Sequence, residues 1–337
     1  MTIQEALNDL LAYKDLSSLD MQTVMRSIMS GEASAAQIAG FMVALRMKGE
    51  TVDEIAAAAQ VMRDLSSKVL IDVDTLVDTC GTGGDGSSTF NVSTASALVA
   101  ASAGVKIAKH GNRSVSSKCG SADVLEALGV KLDLTPEQMS ACVQQVGIGF
   151  MFAPMYHVSM KHAIAPRKEL GVRTIFNLLG PLTNPAGAKR QVLGVFSDEW
   201  LEPIAEVLRA LSSQHVLVVH AQDGLDEFSI TGPTNVCELR DGDITRYQVI
   251  PEDMGLERAS LDLIKVNDVQ ESVAMIRALL AGEAGAAADI VALNAGAAIY
   301  VAGISTDLSA GVALAKQKLL GGEAATTLQQ LVSFSQQ

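Results

Sequence analysis

Four glycines in six residues, Gly81-Thr82-Gly83-Gly84-Asp85-Gly86, stand between an apolar run and a helical pattern. Glycines let backbone N–H groups close on an anion with no Cβ in the way. The helix that follows would turn its positive end toward the same point. Alone, such a loop reads as readily as a tight turn. It is not a Walker loop, since no Lys-Ser/Thr follows, and it makes no dinucleotide fingerprint. A second polar group, Asn91-Val92-Ser93-Thr94, falls at the predicted helix N-terminus. Asn91 or Ser93 would cap that helix, and the same side chains are placed to hold a phosphate or a metal-bound oxygen as well.

Lys109-His110-Gly111-Asn112-Arg113-Ser114-Val115-Ser116-Ser117 sets three potential cations and several hydroxyls around one glycine, just after a predicted strand. A solvated surface loop would look the same, but strand C-terminal ends are where α/β folds place ligands. Another Gly/Ser turn, Cys119-Gly120-Ser121-Ala122-Asp123, precedes a further helix. Two such turns with basic residues suit a polyanion better than a single phosphate. Adjacent carboxylates, Asp226 and Glu227, follow another strand end in Gly224-Leu225-Asp226-Glu227. Such pairs are usually solvated charge. Beside phosphate-binding turns they suit Mg²⁺, which bridges protein carboxylates to substrate phosphates. Arg167 could grip a substrate carboxylate with its planar fork or form a structural salt bridge. His157, His162, His215 and His220 are scattered, with no HExxH spacing and no nucleophile–base pair. They read mostly as packing or surface residues.

The elements that must position these residues follow from periodicity. Capping boxes at Ser34/Gln37 and Thr51/Glu54 open apolar-periodic runs, so the first 70 or so residues read as three or four helices. The run 76–79 reads as a buried strand, 93–103 as a helix closed by Gly104, and 105–109 as the next strand. That is a βαβ unit and predicts a parallel sheet. Thr135-Pro136-Glu137-Gln138 starts another helix. Strands are expected at 191–196 and 216–220, each with helices before and after. A hairpin is expected over 235–250 around Asp241-Gly242, and helices again from Val269.

Composition bounds the function. The chain has 337 residues, 48% hydrophobic and 19% charged, with a formal net charge of −13. A general nucleic-acid binder would carry the opposite sign, so any phosphate site must be local. Cys80, Cys119, Cys142 and Cys237 have no metal-ligand spacing and read as reduced thiols of a cytoplasmic protein. No signal pattern follows Met1, and no apolar run is long enough to span a membrane.

Six blocks in order carry a resemblance to the bacterial anthranilate phosphoribosyltransferase family over nearly the whole length. They are Gly81-Thr82-Gly83-Gly84-Asp85, Asn91-Val92-Ser93-Thr94, Lys109-His110-Gly111-Asn112-Arg113, the run 120–129, Arg173-Thr174-Ile175-Phe176-Asn177 with the run 180–185, and Asp223-Gly224-Leu225-Asp226-Glu227. The chain departs from the family pattern at His220-Ala221-Gln222 and at His157-Val158-Ser159-Met160. The resemblance implies a nucleoside phosphorylase/phosphoribosyltransferase-type fold. A small N-terminal helical domain (1–70, with a returning segment about 165–185) would join a larger α/β domain (71–337) with a mainly parallel central sheet. It implies transfer of a phosphoribosyl group from 5-phosphoribosyl 1-pyrophosphate to anthranilate, two Mg²⁺ per monomer, and a homodimer formed through the helical domain. Gly81, Gly84, Asp85, Thr89, Asn91, Val92, Ser93 and Thr94 would hold the donor. Lys109, His110, Gly111, Asn112, Arg113, Ser114, Val115, Ser116, Ser117 and Ser121 would complete that site. Ser93, Asp226 and Glu227 would ligate the metal. Gly81, His110, Asn112, Arg167 and Pro181 would meet anthranilate. The nearest alternative, a pyrimidine nucleoside phosphorylase, normally carries Lys-His-Ser-Thr-Gly-Gly where this chain has Lys109-His110-Gly111-Asn112-Arg113. A nucleic-acid-binding relative of the same fold is opposed by the intact motifs and the acidity.

Overall fold

Side-chain caps set the starts of the first four helices: α1 (Ile3–Leu11), α2 (Ser18–Ser30), α3 (Ala35–Lys48) and α4 (Val52–Leu65). Thr2, Ser17, Ser34 and Thr51 each accept a backbone N–H of the first turn, worth about 1 kcal/mol apiece. The predicted boxes at Ser34/Gln37 and Thr51/Glu54 are both formed. Glu54 does more than cap. It is wholly buried, accepts Leu16 N at 2.9 Å, and pairs with Lys48 Nζ at 2.8 Å. The computed structural model describes residues 1–113 and 119–337. The expected donor-site residues Ser114, Val115, Ser116 and Ser117 therefore lie outside the described residues.

The chain then alternates: β1 (Leu76–Gly81), α5 (Val92–Ser102), β2 (Lys106–Gly111), α6 (Ser121–Ala127), α7 (Pro136–Val146), β3 (Ile148–Phe152), α8 (Ala153–Tyr156), α9 (Lys161–Leu170), α10 (Ile175–Leu179), β4 (Arg190–Gly194), α11 (Leu201–Ala210) and β5 (His215–Ala221). Strands β6 (Thr234–Arg240) and β7 (Asp243–Val249) form the hairpin, and α12 (Val269–Leu280), α13 (Ala286–Val301), α14 (Leu308–Gly321) and α15 (Glu323–Ser335) end the chain. One seven-stranded sheet has the order β3-β2-β1-β4-β5-β6-β7. The pairs from β3 to β5 are parallel; β6 and β7 are antiparallel. In the turn between them Asp241 and Gly242 have φ of 52° and 93°, as a two-residue hairpin turn requires.

Two expectations need correction. No helix follows β5; the chain turns back as β6, because the loop after Ala221 is spent on the Asp223–Glu227 block and its return. Strand β3 had not been expected, since the short apolar run 148–152 lacks an alternating pattern.

Apart from the exposed edge strand β7, the sheet is buried on both faces, which explains continuous apolar runs such as 216–219. Val192, Leu217 and Val219 join a core with α5, α12, α13, α14 and α15. Leu193, Val216 and Val218, pointing the other way, join a core with α11 and α1 to α4. Helices α9 and α10 return from the α/β region to pack on α2, α3 and α4. All four cysteines are free. Among the described residues no helix is long and apolar enough to cross a membrane.

Candidate active site

The order of strands reverses between β1 and β4: the chain moves outward through β2 and β3, then returns to the other side of β1. In open α/β sheets a crevice opens at this point, outside the strand C-termini. Gly81 ends β1 directly beside Gly194, which ends β4. Asp226 lies across both. A Cβ built on Gly81 would overlap Asp226 Oδ2, and one on Gly194 would overlap the Asp226 carbonyl group. Two glycines at adjacent strand ends thus leave room for one acidic residue. Gly83 N donates to Asp226 Oδ2 at 2.7 Å, tying the glycine loop to the carboxylate. Asp85 accepts from Ser87 N at 3.2 Å and from Ser87 Oγ at 2.7 Å, and Ser87 Oγ lies 3.4 Å from Thr89 Oγ1.

Helix α5 begins at the same crevice. Asn91, not Ser93, is its cap, accepting Thr94 N at 3.0 Å. The Ser93 hydroxyl donates to Asn91 Oδ1 at 3.4 Å and accepts from Lys109 Nζ at 3.1 Å. Lys109 is only 2% exposed, and its ammonium also donates to the Thr79 carbonyl. Of the three potential cations at the end of β2 and just beyond it, only Lys109 is directed at α5. Arg113 is turned to Asp123 and Glu126, at 2.7 and 2.9 Å. His110 is buried and its pKa is lowered to about 3 by burial and by neighbouring His157, so it carries no charge at neutral pH. Gly111, Asn112 and Ser121 stay together, with Ser121 Oγ donating to Asn112 O at 3.3 Å.

Asp226 and Glu227 are half-buried and have no ion-pair partner among the described residues. Burial raises the Asp226 pKa, and Asp85 adds to the effect. Burial raises Glu227 further, with Asp226 next in weight; Lys109 acts in the opposite sense. Carboxyl groups held at each other's expense are stabilised by a cation. Among the described residues no cluster of three or more His, Cys, Asp or Glu could hold a metal alone. Two carboxylates and the Ser93 hydroxyl are hard oxygen donors, and they fit Mg²⁺, which completes its shell with water and substrate phosphate.

The half-buried Arg167 guanidinium lies 5.3 Å from the Phe176 ring centroid. Burial lowers its pKa, and it forms no ion pair among the described residues, so the salt-bridge reading is not realised. Pro181 is buried, and its carbonyl accepts Gln191 Nε2 at 2.9 Å.

Three features had escaped the sequence reading. His157, set aside as packing, is buried with its ring 5.1 Å from that of His110; both Nε2 atoms lack partners among the described residues. Its pKa falls to about 4, through burial. Asp78, wholly buried in β1, accepts His110 N at 3.0 Å and Asn184 Nδ2 at 2.7 Å, joining β2 to the 180–185 turn. Arg173 donates to the Gly84 carbonyl and stacks 4.1 Å from the Phe196 centroid, while its own carbonyl accepts Arg46 of α3. Asp78 carried a local signal, a lone charge within an apolar strand, and Arg173 stood in a matched block that gave it no role.

Comparison with known proteins agrees with this arrangement. Residues 4–66 match the model described as "Glycosyl transferase family, helical bundle domain", and 73–325 match "Glycosyl transferase family, a/b domain". The anthranilate phosphoribosyltransferase of Thioalkalivibrio sulfidiphilus is 60% identical over 335 residues, 99% of each chain. The crystal structure of the Thermus thermophilus anthranilate phosphoribosyltransferase superposes with a TM-score of 0.94 at 47% identity, covering 98% of this chain and 99% of that one. The Saccharomyces cerevisiae anthranilate phosphoribosyltransferase in complex with PRPP and Mg superposes at 0.91 with 26% identity, over 99% and 98%. Both family models together span most of the chain, and the relatives match it over nearly its whole length, so the chain belongs to the anthranilate phosphoribosyltransferase family.

Proposed function

We propose that this protein transfers the phosphoribosyl group of 5-phosphoribosyl 1-pyrophosphate to the amine of anthranilate. The products are N-(5-phosphoribosyl)anthranilate and pyrophosphate, in the second step from chorismate to tryptophan. The observation that carries the reading is the meeting of Asp226 with Gly81, Gly83 and Gly194 at the switch point. Metal-binding acid and phosphate-binding loop are there one unit.

Gly81, Gly84, Asp85, Thr89 and residues 91–94 hold the donor, with Lys109 and the segment through Ser117 and Ser121 around it. Ser93, Asp226 and Glu227 would hold Mg²⁺, two ions per monomer in this reading, and a cation held there would supply charge neutralisation for the departing diphosphate. Gly83 N is engaged with Asp226 and Thr82 N with the Gly194 carbonyl, so the N–H groups of residues 84–86 are the ones that would meet the same developing charge. Lys109 keeps the Ser93 hydroxyl turned toward them. Arg167 orients anthranilate through its carboxylate, with Asn112, His110 and Pro181 along the ring. The uncharged His110 suits an apolar aromatic face.

The C1–O bond breaks with its electron pair going to pyrophosphate, the amine nitrogen forms the new bond to C1, and that nitrogen then releases one proton to solvent, leaving a neutral secondary amine. An aryl amine is already neutral at pH 7, so attack needs no prior deprotonation, and we assign no general base. Holding both substrates in line supplies much of the rate. We read 1–70 with about 165–185 as the helical domain and 71–337 as the α/β domain; the packing of α9 and α10 on α2 to α4 supports it. Dimerisation through the helical domain and a cytoplasmic location belong to the same reading.

The test is loss of anthranilate fluorescence when purified protein meets the donor and Mg²⁺. The double variant Asp226→Asn/Glu227→Gln should lose Mg²⁺-dependent turnover. No fluorescence change with wild-type protein, together with phosphorolysis of thymidine, would overturn the assignment.

A further inference from the structure

Helix α13 is apolar and almost entirely buried, yet carries Asn294 at its centre, 2% exposed. All three hydrogen bonds of its carboxamide are spent on backbone. Phe228 N donates to Asn294 Oδ1 at 2.9 Å, and Asn294 Nδ2 donates to Phe228 O at 2.9 Å and to Ile290 O at 2.9 Å. The first two bonds copy the paired N–H and C=O exchange of a neighbouring strand. They satisfy a residue that is wholly buried just where the chain has left β5 and has no strand partner.

Phe228 directly follows Glu227. The chain bends at Asp226 and Glu227. Fixing both polar groups of the Phe228 backbone, with its ring packed in the core, anchors the end of that bend and so restricts where Glu227 can point. A cavity of about 10 Å³ has Glu227, Asn294, Ser93, Ser96, Thr79, Cys80 and Val192 in its wall, so carboxylate and carboxamide share one small space with the α5 start. From the other end of the loop, Asp223 accepts Leu225 N at 3.1 Å and the hydroxyls of Ser229 and Thr231. Gly194 lets the Asp226 backbone pass against β4. The acidic pair is thus held from three sides, and only Asn294 comes from a helix remote in sequence.

We propose that Asn294 is a positioning residue for the metal site: its carboxamide clamps the Phe228 backbone and so presents Glu227 beside Asp226 and Ser93. The inference rests on the reading of Asp226 and Glu227 as metal ligands. Partners that orient metal ligands typically change metal affinity by about 10- to 100-fold when removed.

The experiment titrates full-length protein with Mg²⁺ by calorimetry in saturating pyrophosphate, which reads binding and not turnover, and records thermal melting alongside. Asn294→Leu keeps the branched outline and the number of side-chain heavy atoms and removes the clamp. Ile299→Ala, a wholly buried change in the same helix, is the control for general loss of stability. Asn294→Leu should weaken Mg²⁺ binding about 10- to 100-fold, while Ile299→Ala lowers the melting temperature and leaves the affinity within about twofold. If Asn294→Leu shows no cooperative melt, Asn294→Ser, which keeps a short donor and acceptor, is titrated in its place. Unchanged affinity in the Asn294 variant, or equal weakening by Ile299→Ala, overturns the inference and leaves the acidic pair's assignment intact. Wild-type protein that binds no Mg²⁺ under these conditions overturns both.

Discussion

A single methyl group at Gly81 separates the two things that glycine does for Asp226. The φ of Gly81 is not in the left-handed region, so alanine fits its backbone, and the whole effect comes from space. The new Cβ would overlap Asp226 Oδ2 and stand 3.0 Å from Asp226 Cγ. Because the obstacle is the end of a side chain, the carboxylate can rotate aside, giving up the 2.7 Å bond from Gly83 N. A hydrogen bond to a charged group nets about 1.5–3 kcal/mol, which is roughly a 10- to 100-fold change in an equilibrium. Gly81→Ala should therefore raise the Mg²⁺ concentration for half-maximal turnover by that factor, read from anthranilate fluorescence at a series of Mg²⁺ concentrations. Gly83→Ala is the matched control. Its Cβ would meet open space and its N–H is retained, but φ is +66°, so the expected loss of about 1–2 kcal/mol falls on stability. Gly194→Ala should be the most damaging of the three, because the obstacle there is backbone of Asp226. A Gly81→Ala enzyme with wild-type Mg²⁺ dependence would refute the idea that this glycine exists to seat Asp226.

Other consequences can be measured directly. Arg167→Ala should raise the KM for anthranilate about 10- to 100-fold and leave that for the phosphoribosyl donor within about twofold; equal changes in both would remove Arg167 from the acceptor site. His110 and His157 stay neutral in the fold down to about pH 3 and about pH 4, whereas in the unfolded chain they protonate near pH 6.5. As pH falls below that value the unfolded state takes up protons the folded state refuses, so stability is lost at up to about 1.4 kcal/mol per pH unit per histidine. Urea melts of wild type and His157→Gln between pH 6 and pH 4.5 should differ by about that slope; parallel curves would show that His157 is solvated. Lys48→Met leaves Glu54 buried without its cation, and chemical denaturation should register a loss of roughly 3–5 kcal/mol. A loss under about 1 kcal/mol would mean that Glu54 is held by its backbone donors alone.

Much of the site was legible because its parts are contiguous. A glycine loop, a polar helix start and a basic turn each announce themselves by residue type, and each lies at a strand end within a few residues of its predicted place. Capping boxes were legible for the same reason: Ser34 and Gln37, or Thr51 and Glu54, lie one helical turn apart. The returning helices were harder. Nothing local in 161–179 says that these residues leave the sheet to pack on α2 to α4, and α9 even runs through Pro166, whose missing N–H argues against a helix interior.

Residue types and short spacings therefore marked the candidate chemistry of this chain: a glycine-rich loop, a helix N-terminus and a pair of hard carboxylates, in an acidic protein. Those properties are local, set by backbone freedom, capping and charge. Folding decided which of them act together. The reversal of strand order brings Gly81 beside Gly194, 113 positions apart in the chain, and lays Asp226 over both. Burial, which depends on every neighbour at once, turned His110 from a potential cation into a neutral wall and left Lys109 as the charge facing Ser93. Solvation and proximity are sums over the whole packed molecule, so no window of sequence contains them.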